Sequence, residues 1–443
     1  LCGESGKFIL RYENLFRSKT RTYSDKVTQY LRGLFQSEKR NIGKMCGKAE
    51  DSNMQNLQHF IGSSPRDAEA VMRRAASDTD KLFRENGEKT GLLTDESGWK
   101  KQGRKSAGVA RQYSGSSGKA DNGQAGVFLS PAQGNKAGIT GTRLYLPAEW
   151  TDERKRCIGA GIPEDKTVFK TKCEPGLDMI LSLRREGIRF ERAGGGGFYG
   201  NDSKLRYGPD DAGGFYILDI HSDQYVYMTD PCPYIPEKKP GKGRPPCRRQ
   251  SDIKGITAEA PVRECDEPEW KEYCFRMGTK GGKRRKVIVR EVQTRNGEDC
   301  KAGKEKPAAS KNTDGTEVKY PLCSDRHNRY NDCGLLYMQM QRYRTERSLQ
   351  DAESESGMAE YQVGTWTAWH HHTAPTMSAL LFMTEQKPGS REHVPPLSCS
   401  DIKFISANTL PQKANTKEEI LNPVHERHIR RQYDIDRFSN MTK

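Results

Sequence analysis

The sequence predicts a mixed α/β protein, and three observations carry that prediction. Apolar residues recur at three- and four-residue steps through residues 1–88, as in VTQYLRGLF, NMQNLQHFIG and AEAVMRRAASDTDKLF. From Gly91 the texture becomes strand-like, with GLLTDESGW, SAGVARQYSGSSG and GQAGVFLS separated by Gly/Ser turns. Helical spacing in EPGLDMILSLRREG then alternates with the short apolar runs IRFERA and GGFYILDI.

Taken in order, residues 1–88 read as a helical bundle with basic faces, and Ser64-Pro65-Arg66-Asp67 reads as a helix start. Residues 89–227 read as the first part of an α/β core that opens with an antiparallel meander. Its first strand is expected to present Asp95 at its end. The segment 228–325 reads as an inserted β-rich subdomain. It opens with the basic, proline-rich run PYIPEKKPGKGRPPCRRQ, which no central strand would tolerate. Residues 326–390 return to helix: LLYMQMQRYRTERSLQDAESESGM, with Gly357 as a stop, and then TWTAWHHHTAPTMSALLFM, with a kink expected at Pro375. Residues 391–443 read as an unstructured stretch ending in a basic helix.

The 443 residues carry 74 Lys+Arg against 59 Asp+Glu, a net charge of +15. Mean hydropathy is −0.91 and the pI about 9.2. Such an excess fits a polyanionic partner, with nucleic acid ahead of a membrane surface. The 12 cysteines are scattered without C-x-x-C spacing, which argues against zinc and for reduced thiols. With no apolar run of spanning length, the expected location is the cytoplasm, with the nucleoid of a bacterium as the setting.

No phosphate-binding Gly-rich loop, G-x-S-x-G or H-E-x-x-H appears. His370, His371 and His372 resemble a metal cluster, yet neighbours on a helix point about 100° apart and three in a row do not share one ion. What remains is carboxylate chemistry: Asp95 on its strand, and the acidic helix carrying Glu346, Asp351, Glu353 and Glu355. Taken alone, each reads first as a surface acid.

The order of these elements resembles that of the DDE transposases, in the insertion-sequence branch with a Y-R-E-K signature. TDESGWKKQGRKSAGVARQYSGSSGKADNGQAGVFLS is similar to the family's first-acid segment. LYLPAEWTDERKRCIGAGIP, DPCPYIPEKKPGKGRPP and GTKGGKRR are similar to later stretches, and ERSLQDAESESGMAEYQVGTWTAWHHH to the last-acid helix. The resemblance implies an RNase H-like core with an N-terminal helical DNA-binding domain and the inserted β subdomain. It places Asp95 as the first catalytic acid, Glu346 as the last and Arg342 as the signature Arg. The signature Tyr would fall at Gln339, with Tyr337 and Tyr343 nearby, and the signature Lys at Glu353, so two of the four signature positions depart from the pattern.

The second acid is missing. The family's Asp precedes its Tyr-Gly turn, and in FERAGGGGFYGND that position is Gly196; Glu191 and Asp202 are the nearest carboxylates. The resemblance implies Mg²⁺, with Mn²⁺ able to substitute, held by Asp95 and Glu346, because hard cations take carboxylate oxygens. It also implies a homodimer working on double-stranded DNA, both terminal inverted repeats and target. Lys100, Lys101, Arg111, Lys283, Arg284, Arg285 and Arg342 are the candidate phosphate contacts, and Trp270 is the candidate for stacking on a flipped base, with a core Trp the commoner alternative. The expected function is excision and strand transfer of a mobile element, disabled at Gly196. The alternative is a non-catalytic, repressor-like DNA-binding protein.

Overall fold

A computed structural model describes residues 2–18, 21–84, 89–115, 118–211, 214–238, 249–278, 281–295, 302–324, 329–387, 397–414 and 417–441. Most of the proline-rich basic run, 239–248, therefore lies outside the described residues. The N-terminal region is helical: α1 (Cys2–Leu10), α2 (Ser24–Gln36), α3 (Met54–Gly62) and α4 (Ala68–Arg84). In α2 the buried residues Val27, Tyr30, Leu31 and Leu34 follow the three-four spacing. The Asn53 side chain accepts from the Asn56 N–H to cap α3, and Asp67 accepts from Ala70 N–H at 2.9 Å to start α4, as the sequence predicts.

A large sheet follows. Its strands are β1 (Gly91–Lys100), β2 (Ala110–Ser114), β3 (Lys119–Gln133), β4 (Arg192–Gly195), β5 (Phe215–Ile220), β6 (Lys271–Gly278), β7 (Gly281–Val289), β8 (Ala302–Asn312) and β9 (Val318–Cys323). Their spatial order is β6-β7-β8-β9-β5-β4-β1-β3-β2. β4 runs parallel to both β1 and β5, whereas β3 pairs antiparallel with β1 along its whole length. Asp95 thus sits mid-strand rather than at the strand's end. β1 continues along β3 to Lys100, while its pairing with β4 stops at Thr94.

Strands β6–β9 of the 228–325 segment extend this sheet, because β9 pairs antiparallel with β5 (Leu322 opposite Leu218), while Pro233–Tyr234 and Gln250–Ser251 pair separately. Buried Arg206 reinforces the junction: its guanidinium donates to the Gly200 carbonyl and stands 3.8 Å from Glu305 on β8.

Helix α5 (Cys173–Arg185) covers one face of the sheet, and Gly176 lies directly over Thr94 of β1. On the other face lie α6 (Asp332–Met340) and α7 (Arg342–Ser354), which meet at Gln341; the sequence suggested one continuous helix there. Gly357 takes the left-handed conformation (φ 78°) just beyond α7, where a Cβ would strain the backbone. Helix α8 (Trp366–Glu385) passes through Pro375 as one element and is buried along nearly its whole length against α3 and α4. The stretch expected to lack structure holds α9 (Cys399–Thr409), started by a reciprocal Ser398–Asp401 cap and anchored by buried Cys399 and Ile402. Last comes α10 (Lys417–Met441). No described helix is long and apolar enough to cross a membrane.

Candidate active site

The site is built by strand register. Thr94, Gly195 and Leu218 are the last paired positions of the two parallel ladders, β1 with β4 and β4 with β5. The next residues on those three neighbouring strands are Asp95, Gly196 and Asp219. Because β1, β4 and β5 are parallel, the three positions form a row across the sheet and share one face. Helix α7 lies on that face: Arg342 reaches Gly196, and one helical stretch later Glu353 hydrogen-bonds Ser97, two residues beyond Asp95 on β1.

The glycine run has a different reason at each position. A Cβ at Gly194 would come within 2.3 Å of the Leu93 side chain, and one at Gly200 within 1.8 Å of the Asp219 carbonyl oxygen. At Gly196 the three nearest atoms belong to the Arg342 guanidinium: Cζ at 3.1 Å, Nη2 at 3.2 Å and Nε at 3.3 Å. Its backbone is extended (φ −77°, ψ 178°), a conformation open to any residue. Gly196 then caps the one-turn helix Gly197–Gly200.

Arg342 is the hub of the row. Its Nη1 is 3.6 Å from Asp219 Oδ2 and its Nη2 3.3 Å from Glu346 Oε1. Burial alone would lower the guanidinium pKa, but Asp95, Asp219 and Glu346 together outweigh it and hold the charge in place. Burial pushes the Asp95 carboxyl up to about 6, against the opposing pull of Arg342 and of the Glu96 N–H that donates to it at 3.0 Å. Asp219, also raised by burial, accepts from Gln339 Nε2 at 2.8 Å. Gln339 in turn accepts from Ser310 Oγ at 2.8 Å, so the position expected for a signature Tyr holds a buried polar bridge between β5 and β8. Glu346 itself is exposed.

The nearest alternative acids are engaged elsewhere. Asp202 accepts from the Leu205 N–H as a helix cap, and Glu191 is exposed at the opposite end of β4. Asp219 is the residue that sequence reasoning missed. Its signal was present, since FYILDI places a lone acid in an otherwise apolar strand, where a charge must find a partner.

A pair of divalent cations requires several carboxylates around a shared space. Here the middle of the row has no side chain, and a guanidinium covers it. The residues present therefore do not fit a metal pair, and among the described residues no group of three or more His, Cys, Asp and Glu is placed to hold an ion.

The histidines of α8 serve packing. His370 bonds the Trp366 carbonyl (2.9 Å) and His371 that of Ile61 (3.0 Å). His372 sits between the Tyr30 hydroxyl (2.7 Å) and the Met358 carbonyl (3.1 Å). Burial lowers their pKa values to about 4, 4 and 3.

Of the expected phosphate contacts, Arg111 and Lys283 are exposed, while Lys100 pairs with Asp121 (2.9 Å) and Arg284 with Glu272 (3.1 Å). Lys101 turns inward, donating to the Tyr361 carbonyl at 2.7 Å, and burial lowers its pKa to about 8. Arg285 is buried and pairs with Glu317 at 2.7 Å. Trp270 packs against Val262, Ile288 and Ala309, with the Lys311 amine 4.1 Å from its ring centre.

Asp95 stands just past the point where the parallel pairing of β4 with β1 ends, and Glu346 stands on the helix that covers the same sheet face. The chain belongs to the DDE superfamily endonuclease family, whose model matches residues 12–282. It is 33% identical over 186 residues to the probable transposase for insertion sequence element IS701 of Microchaete diplosiphon. That match covers 42% of this chain and 44% of the relative, so the chain spans less than half the length of the curated relative it matches. Among solved structures, the cryo-EM structure of the piggyBac transposase synaptic complex with hairpin DNA aligns at 10% identity and a TM-score of 0.37, covering 95% of this chain and 86% of that one.

Proposed function

We propose that this chain is a DDE transposase of insertion-sequence type that recognises the terminal inverted repeats of a mobile element and is catalytically disabled at Gly196. The observation that supports this most is the register row, in which Gly196 stands between Asp95 and Asp219 and across from Glu346. In this reading β1–β5 form an RNase H-like core, with residues 1–88 as the helical DNA-binding domain and 228–325 as the inserted β-rich subdomain. The lineage's reaction is excision and strand transfer supported by Mg²⁺ or Mn²⁺, with Asp95 and Glu346 as the surviving acids. The protein works as a homodimer in the cytoplasm. Arg111 and Lys283, both exposed, are the first candidates for phosphate contacts.

The test uses labelled DNA carrying the element's terminal repeats, with Mg²⁺ or Mn²⁺ present. Wild type is expected to retain the DNA without cutting it, and Gly196→Asp is expected to restore cleavage. Should the reverted, folded protein bind the repeats and cut nothing, the transposase reading gives way to a repressor-like DNA-binding protein.

A further inference from the structure

The misfit between this site and a metal pair has a positive content. Two carboxylates pair with a single guanidinium, at 3.6 Å to Asp219 and 3.3 Å to Glu346, and the charge of Asp95 on the same sheet face favours it as well. That guanidinium lies 3.1–3.3 Å from the point where a side chain at position 196 would begin. A neighbouring glycine would not leave this space. Side chains at Gly194, Gly197 or Gly200 would run into Leu93, His221 or the Asp219 carbonyl at 2.6 Å or less, whereas one at Gly196 first meets the movable end of Arg342, at 3.1 Å.

We infer that Arg342 is the built-in counter-cation of this acid row, standing where divalent metal would: the chain folds with its acids partly balanced by the guanidinium, and it takes up Mg²⁺ or Mn²⁺ there only when a carboxylate at 196 draws the guanidinium aside or when the guanidinium is removed. A dication brought into the present arrangement would lie beside a fixed positive charge and would have to displace it from partners it already satisfies. A carboxylate at 196 would give Arg342 a fourth acid to pair with and would add oxygen donors between Asp95 and Asp219, the ligand type hard cations select. This deepens the disabled-site reading, but its test needs neither DNA nor turnover, so the two fail separately.

The experiment titrates the full-length, metal-stripped chain with Mn²⁺, following free ion by electron paramagnetic resonance and stability by thermal unfolding. Wild type is expected to match Asp95→Asn, with no saturable Mn²⁺ site and a Tm indifferent to millimolar Mg²⁺. Gly196→Asp is expected to bind Mn²⁺ at least about tenfold more tightly than wild type and to gain a metal-dependent Tm. Arg342→Gln, which removes the guanidinium, is expected to gain the metal-dependent Tm as well, whereas Arg342→Lys, which keeps a cation, is expected to behave as wild type. Saturable Mn²⁺ binding by wild type that is lost in Asp95→Asn would overturn the inference. So would folded Gly196→Asp and Arg342→Gln proteins that both ignore metal. The wild-type comparison decides even where a variant fails to fold.

Discussion

Glycines 194, 196 and 200 differ in what a methyl group would do, and that difference is measurable. Gly194→Ala forces its Cβ to 2.3 Å from Leu93 in a packed sheet, an overpacking worth about 1–3 kcal/mol. Gly200→Ala meets backbone at 1.8 Å and is expected to cost more. Gly196→Ala presses first on the movable end of Arg342, at 3.1 Å, and is expected to stay within about 1 kcal/mol of wild type in urea unfolding. If Gly196→Ala proves the worst of the three, the open space assigned to that position is not there. Asp95 offers a pH test. Its folded pKa of about 6 lies above the ordinary 3.8, so the folded chain keeps a proton that the unfolded chain has released between those values. Stability is therefore lost as pH rises from about 4 to 6, by at most about 3 kcal/mol. Asp95→Asn should gain over wild type at pH 7 and show no gain at pH 4. An equal gain at both pH values would exclude the titration. At this scale the sequence singled out Asp95, Gly196 and Glu346, because a resemblance is carried over residue by residue, and the structure sets Asp95 and Gly196 on neighbouring strands. It was silent on Asp219, which joins the row only through the pairing of β4 with β5.

Among the elements, α8 carries a pH response of opposite sign. Its histidines are held neutral, with folded pKa values of about 3–4 against 6.5, so their contribution is intact above pH 6.5 and is lost as pH falls toward 4. Each histidine should cost about 1.4 kcal/mol per pH unit below about pH 6. His372→Gln is expected to be less stable than wild type at pH 7 and to have a shallower acid limb; an unchanged limb would mean His372 does not titrate there. Arg40 ties the helical region to α7. Its guanidinium is buried, reaching Glu360 Oε1 at 2.5 Å, the Leu34 carbonyl at 2.7 Å and the Ser354 carbonyl at 2.8 Å. Arg40→Ala should destabilise by about 3 kcal/mol in denaturant unfolding, since it leaves helix-end carbonyls and a carboxylate without their donor. A loss below 1 kcal/mol would show that water replaces it. Helices with strong three-four patterning, such as α2 and α4, were legible in the sequence. The Gln341 break and α9 were not, because capping and a few buried side chains decide them rather than periodicity.

For the whole molecule, the net charge of +15 sets the expectation for nucleic acid. Binding to terminal-repeat DNA should weaken about 10³–10⁵-fold between 50 and 200 mM salt if six to ten phosphates are contacted. A flat salt response in a filter-binding or anisotropy titration would remove nucleic acid as the partner. The sequence also marked the 228–325 segment as a separate subdomain on composition alone, since prolines and lysines at its entry look like a boundary. Composition cannot reveal that β9 then returns to pair with β5.

That pairing makes the inserted arm mechanically continuous with the acid row. From β6 through β7, β8 and β9 to β5, each strand is hydrogen-bonded to the next, and β5 carries Asp219. A tethered module can swing while its host stays still; a sheet cannot. The β6–β7 hairpin and the strand that carries Arg342's acid therefore belong to one hydrogen-bonded lattice.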